Sequence, residues 1–145
     1  MTTAIKKKAS AVWTGDIKNG GGLISTETGV LRDAPYGFKA RFENGPGTNP
    51  EELLGAAHAG CFTMALSLAL TQAGFVPQRL ETQAEVTLDK LGDGYAVTAV
   101  HLVLTAQVPG IDAERFESIA TTAKAGCPIS KVLNAKISLQ CTLSS

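Results

Sequence analysis

The chain has 145 residues, and its 13 basic and 13 acidic side chains cancel to a formal net charge of zero. A chain of this length can build one core, so we predict a single domain over residues 1–145. The charges are balanced and scattered, which argues against nucleic-acid and membrane partners.

The N-terminal stretch MTTAIKKKASAVWTG has no apolar run after its lysines, so it does not look like a secretory signal. We therefore expect a cytoplasmic protein, whose thiols are kept reduced. The three cysteines form neither a CxxC pair nor a set with zinc spacing, which argues against a disulfide framework and against a metal site.

The first fifty residues are rich in glycine and in residues that favour strands. Three stretches read as a small antiparallel sheet: KASAVWTGD, GGLISTETGVL and YGFKARF. A long helix is predicted to start at Thr48-Asn49-Pro50-Glu51-Glu52, where a capping residue, a proline and acidic groups coincide. It runs through LLGAAHAGCFTMALSLAL towards Gly74. Its length would suit a membrane span, but its small and polar residues favour a helix buried on all sides in a soluble protein.

The second half of the chain predicts a hairpin, a second helix, a short third helix and a last strand. The hairpin joins RLETQAEVTLDKL to YAVTAVHLVLTAQV through a Gly-Asp-Gly turn. The second helix opens at Asp112 and breaks at Gly126-Cys127-Pro128, SKVLNA makes the third helix, and KISLQCTL closes the chain as a strand. The expected fold class is α+β, with antiparallel sheet segments around a long buried central helix.

The cysteines are the candidate reactive residues. In the middle of an apolar helix, Cys61 is better explained as a packing residue than as a nucleophile. Cys127 precedes a proline at a predicted helix start, where a thiolate is stabilised, and an indifferent cap is an equally good interpretation. Cys141 alternates with Leu139 and Leu143 in the last strand, which favours a place in the core.

The histidines give weaker signals. His58 lies three residues before Cys61 and could pair with its thiol, although a histidine satisfied inside a packed helix is the favoured interpretation. His101 is isolated in the second strand of the hairpin. Neither histidine supports a metal site.

Several motifs taken together resemble the osmotically inducible protein C (OsmC) and organic hydroperoxide resistance family, in particular its OsmC branch. They are GTNPEELLGAAHAGCFTMALSL, WTGDIKNGGG, STETGVL, PYGFKARF and KAGCPISKVL, and they cover nearly the whole chain. The resemblance implies an intertwined α+β homodimer. It also implies a thiol-dependent peroxidase that reduces organic hydroperoxides and hydrogen peroxide in stress defence, and that needs no cofactor.

The resemblance also implies residue roles. Cys61 would be the thiol that attacks the peroxide and Cys127 the thiol that resolves the sulfenic acid, the reverse of the order that the helix-start argument favours. Arg41 would favour the Cys61 thiolate, and Glu51 would orient the arginine. A dithiol would then reduce the disulfide, and the resemblance favours a lipoylated protein or a small dithiol over thioredoxin.

Two other functions stay open on the sequence alone. The apolar helix could form the pocket of a non-enzymatic protein that binds a lipid-like ligand, with inert cysteines. A protein disulfide oxidoreductase is the other alternative, weakened by the missing CxxC.

The spacing of Glu51 and Cys61 adds an argument for the homodimer. Ten residues of straight helix separate them by roughly 15 Å, which is too far for both to act in one site within a single chain.

Overall fold

The computed structural model describes residues 4–144. The chain divides into two compact units, one ending at Pro50 and the other starting at Glu51. The first unit contains an antiparallel sheet of three strands in the order β1-β2-β3: β1 (Ala9–Thr14), β2 (Gly21–Thr26) and β3 (Ala34–Tyr36). A short helix, α1 (Phe38–Phe42), follows.

An aromatic contact holds the small sheet together. The rings of Trp13 and Tyr36 meet edge to face, with their centroids 5.5 Å apart. Gly22 lies beneath them, and a Cβ atom there would stand 2.3 Å from a ring carbon of Tyr36. Only glycine therefore fits at this crossing.

The strand predicted over YGFKARF is wrong beyond its first residue, Tyr36. β3 ends at Tyr36, and the next residues turn into α1, in which the N–H of Arg41 donates to the carbonyl of Gly37 at 3.1 Å. Helical spacing brings the rings of Phe38 and Phe42 to 5.1 Å from each other. In a strand, two residues four positions apart lie about 13 Å from each other, which is too far for this contact.

The second unit contains most of the regular structure. Its elements are α2 (Pro50–Gln72), which starts at the last residue of the first unit, β4 (Arg79–Leu91), β5 (Gly94–Gln107), α3 (Ala113–Gly126), α4 (Pro128–Val132) and β6 (Lys136–Ser144). The predicted long helix, hairpin, second helix and last strand are confirmed. As expected, Asp112 caps α3: its carboxylate accepts from the N–H of Arg115 at 2.7 Å. The third helix starts at Pro128, two residues earlier than predicted.

The sheet of the second unit has the order β4-β5-β6 and is mixed. β4 and β5 pair antiparallel, as predicted, whereas β6 runs parallel to β5, a pairing that the prediction of antiparallel sheet segments did not include. A parallel pair needs a long crossover connection, and α3 and α4 provide it here. The α+β class is confirmed.

The core of the second unit lies on one face of this sheet. Alternate residues of β5, from Val100 to Ala106, are buried there. α2 and α3 both contribute to this cluster, with Phe62, Leu66, Leu70, Phe116 and Ala120.

The prediction that α2 is buried on all sides is wrong for the single chain. Its buried residues follow one another at intervals of three or four, which defines one face of the helix. On the other side, Met64 is 77% exposed and Leu68 is 59% exposed. In the described part of the chain, α2 is the one helix that could cross a bilayer by length and composition, a test that core helices of soluble proteins also pass.

Candidate active site

Cys61 lies in the middle of α2, at the edge of the core. Its side chain is partly exposed, and it packs against the core cluster without belonging to it. Burial raises the pKa of the Cys61 thiol, the backbone N–H of Ile129 offsets part of this effect, and the neighbouring Cys127 adds to it. Within its own unit, this thiol therefore has little help in losing its proton.

Cys127 joins two helices. Its N–H donates to the carbonyl of Ala123 at 3.0 Å and ends α3, and its Sγ accepts from the N–H of Ser130 at 3.4 Å and caps α4. Burial acts to raise the pKa of this thiol. Hydrogen bonds from the hydroxyl and N–H of Ser130, and from the thiol of Cys61, outweigh burial and hold the pKa of Cys127 below its ordinary value.

The fold brings Cys61 and Cys127 together. Both are free thiols, and each alters the pKa of the other. Neighbouring thiols at different depths can react in sequence, one with a substrate and the other with the oxidised first sulfur. The site can therefore perform thiol and disulfide chemistry with its own two sulfur atoms.

His58 lies inside the packed protein, which was the favoured interpretation, and its hydrogen-bond partner is Ser130 and not Cys61. It is fully buried, and its Nε2 lies 2.8 Å from the Oγ of Ser130, while its Nδ1 has no hydrogen-bond partner among residues 4–144. Burial lowers the pKa of His58, so the ring is neutral at neutral pH. Ser130 was not among the site residues predicted from the sequence. The one available signal was its place three residues after Cys127, at the start of a helix.

Arg41 and Glu51 lie in different units. Arg41 is on α1, and its guanidinium lies 5.4 Å from the centroid of the Phe42 ring. It lines a pocket of about 220 Å³ together with Trp13, Tyr36 and other residues of the first unit. Glu51 is half-buried in the first turn of α2, on the same continuous helix as Cys61. The roles of both residues stay predictions.

Cys141 and His101 both have structural roles in the sheet of the second unit. Cys141 lies opposite Leu104 and packs against the core cluster, as predicted, and burial and the charge of Glu117 raise its pKa. His101 links the paired strands β5 and β6, since its Nδ1 lies 2.7 Å from the Oγ of Ser138.

The fold is that of solved organic hydroperoxide resistance proteins. The crystal structure of the organic hydroperoxide resistance protein OhrB of Bacillus subtilis matches with a TM-score of 0.69 and 26% identity, over 93% of this chain and 98% of that one. A corresponding protein from Elizabethkingia anophelis matches with a TM-score of 0.72 and 25% identity, over 99% of this chain and all of that one.

Sequence comparison narrows this class. Residues 43–142 match the family described as OsmC-like protein. The chain is 57% identical to the peroxiredoxin OsmC of Escherichia coli over 141 residues, which cover 97% of this chain and 99% of that protein. The chain belongs to the OsmC family.

Proposed function

We propose that the chain is a thiol-dependent peroxidase that reduces hydroperoxides in stress defence, with Cys61 and Cys127 as its redox pair. The observation that carries the proposal is the contact between these two free thiols at the edge of the core. The likeness to a peroxiredoxin over nearly the whole chain supports the activity. The relatives named for organic hydroperoxide resistance support the class of substrate.

Accessibility decides which thiol attacks. The pKa values favour Cys127 as the more easily formed thiolate, but this side chain is 0% exposed, whereas Cys61 is partly exposed. A peroxide must reach the sulfur before the ease of ionisation matters. Cys61 is therefore the thiol that reacts with the peroxide, and Cys127 is the resolving thiol.

The reaction then has two oxidative steps and one reductive step. The Cys61 thiolate attacks the distal peroxide oxygen, an S–O bond forms as the O–O bond breaks, and the leaving alkoxide takes a proton to become the alcohol. Cys127 attacks the resulting sulfenic acid, so that the S–S bond replaces the S–O bond and water leaves. A dithiol restores both thiols by exchange, and a lipoylated protein is the reductant that we propose.

Cys61 needs a positive charge to ionise readily, because burial and Cys127 both raise its pKa. We assign this task to Arg41, with Glu51 orienting the guanidinium through a bidentate pair. No metal or organic cofactor takes part in this scheme.

We also propose a homodimer, in which a second copy covers the exposed side of α2. This side carries Met64 and Leu68, which are large apolar side chains at helical spacing. Glu51 and Cys61 lie on one helix, ten residues and thus about 15 Å apart, which favours a site completed by the Glu51 of the partner. The cytoplasm is the location in which such a thiol enzyme would be kept reduced.

A count of free thiols tests the function. One equivalent of cumene hydroperoxide should remove two thiols per chain. A protein that only binds a lipid-like ligand would lose none. Cys61→Ser should consume no peroxide, whereas Cys127→Ser should react once and accumulate a sulfenic acid that dimedone traps. Full turnover by Cys61→Ser would refute the assignment of the attacking thiol.

A further inference from the structure

Three side chains contact one another in a row that ends at one of the two thiols: His58, Ser130 and Cys127. His58 Nε2 lies 2.8 Å from Ser130 Oγ, and Ser130 Oγ lies 3.4 Å from Cys127 Sγ. These residues come from α2, from α4 and from the junction between α3 and α4. His58 and Cys127 are both fully buried. A buried polar contact of this kind orders the groups that it joins.

The unpartnered nitrogen of His58 sets the direction of the hydrogen bonds. Burial keeps the ring neutral, so one nitrogen carries a proton and the other a lone pair. A buried N–H without an acceptor is rarer in proteins than a buried lone pair without a donor. Nδ1, which has no partner, therefore carries the lone pair, and Nε2–H donates to Ser130 Oγ.

This tautomer fixes the hydroxyl of Ser130. Its oxygen accepts from His58, so its single hydrogen is directed to the remaining neighbour, Cys127 Sγ. The backbone N–H of Ser130 also donates to this sulfur, at 3.4 Å. Two donors from one residue thus converge on Cys127. Two donors directed at one sulfur stabilise its thiolate relative to its thiol, because the anion is the stronger hydrogen-bond acceptor.

We propose that His58 and Ser130 are positioning residues of the resolving step, and that they hold Cys127 as the thiolate that attacks the sulfenic acid of Cys61. The inference rests on the proposed function. In the step itself, the Cys127 thiolate forms the S–S bond, the S–O bond of Cys61 breaks, and the leaving hydroxide combines with the proton that Cys127 has released to give water. Cys127 is oxidised, and the sulfur of Cys61 is reduced from sulfenic acid to disulfide.

The opposite role, with His58 as the base that removes the proton of Cys127, would create a buried imidazolium. Burial disfavours this charge, and in the part of the chain that the structure describes no acceptor lies within hydrogen-bond distance of Nδ1 to stabilise it. The structure therefore favours donation by a neutral ring.

The test separates the two oxidative steps in a single turnover. Each variant is mixed with one equivalent of cumene hydroperoxide and quenched at increasing times, with sulfenic acid measured by dimedone trapping and disulfide by thiol count. Ser130→Ala should form the sulfenic acid no more slowly than the parent and close the disulfide roughly tenfold more slowly, because one hydrogen bond to a charged acceptor is lost. Ser130→Thr, which keeps the hydroxyl, should restore the parent rate.

Two further measurements keep the inference distinct from a purely structural role. In a Cys61→Ser background, absorbance at 240 nm reports the ionisation of Cys127, which should move to higher pH in Ser130→Ala and return in Ser130→Thr. His58→Leu should slow closure in the same way, and His58→Gln, which keeps an N–H donor, should slow it less. If Ser130→Ala does not fold, the comparison of His58→Leu with His58→Gln still tests the inference.

The outcomes are distinguishable. Closure of the disulfide at the parent rate in both Ser130→Ala and His58→Leu would overturn the inference. An equal slowing of both oxidative steps would also overturn it, since this would show a general loss of structure. If the parent protein forms no sulfenic acid at Cys61, the proposed function itself fails.

Discussion

The unequal burial of α2 leads to a prediction about two leucines two residues apart. Leu66 is 0% exposed and belongs to the core cluster, so Leu66→Ala should destabilise the fold by about 2–5 kcal/mol, because it leaves a cavity. For a chain of this size, the melting temperature should fall by roughly 3 °C for each kcal/mol.

Leu68 is the matched control. It is 59% exposed in the single chain, so Leu68→Ala removes few intrachain contacts, and alanine is at least as good a helix former as leucine. The fold of one chain should keep its stability within about 0.5 kcal/mol. If a second copy covers this side of α2, the same substitution should weaken the dimer by about 1–2 kcal/mol for each copy. This is the free energy of burying a leucine side chain, scaled by the fraction that is exposed in the single chain.

Two assays separate these effects. Thermal unfolding by circular dichroism at several protein concentrations measures the stability, and analytical ultracentrifugation measures dissociation of the dimer. Leu66→Ala should lower the melting temperature at every concentration, whereas Leu68→Ala should act mainly by promoting dissociation. A large, concentration-independent loss in Leu68→Ala would refute the reasoning, since it would place Leu68 in a core within one chain.

Three further predictions concern the site. Arg41→Ala should slow the first oxidation at neutral pH and move its pH dependence to higher pH, with a smaller effect for Glu51→Ala; an unchanged pH–rate profile in stopped-flow measurements would remove Arg41 from the site. Inactive Cys61→Ser and Glu51→Arg chains should regain activity when they exchange subunits, and no recovery despite verified exchange would place the site within one chain. Finally, His58 titrates near pH 6.5 when unfolded, and its pKa is lowered by burial in the fold. Stability to urea should therefore be lost as the pH falls from 7 to 5, and His58→Gln should reduce this loss; equal losses in both proteins would contradict it.

The sequence predicted those elements that local signals determine. The start of α2 at a proline with acidic neighbours, the alternating hairpin and the cap at Asp112 all agree with the structure. The failures concern properties that depend on distant residues. A uniformly apolar helix has the same sequence whether its second side is covered by its own chain or left exposed. The direction of β6 depends on the path of α3 and α4, which periodicity does not reveal.

The residues of the candidate site were also only partly predicted from the sequence. Residue chemistry alone identified Cys127 as a helix cap, and the structure agrees, but the assignment of Cys61 came from the family resemblance. The contact between His58 and Ser130 joins residues that are 72 positions apart, so no local pattern could indicate it. The short helix that carries Arg41 was missed because its aromatic residues also favour strands.

Cys127 ends one helix and begins the next, so its sulfur has a mechanical role besides its chemical one. A sulfur tied into a disulfide is a poorer acceptor than a thiolate, and oxidation would therefore weaken the cap of α4. This five-residue helix contains no fully buried side chain, and its other contacts are the half-buried Ile129 against the core cluster and the hydrogen bond between Ser130 and His58. The oxidised enzyme should thus differ from the reduced one in local order, which faster amide exchange at Ser130 would report. A reductant could then distinguish the disulfide form of the enzyme from the dithiol form by the lower order of α4.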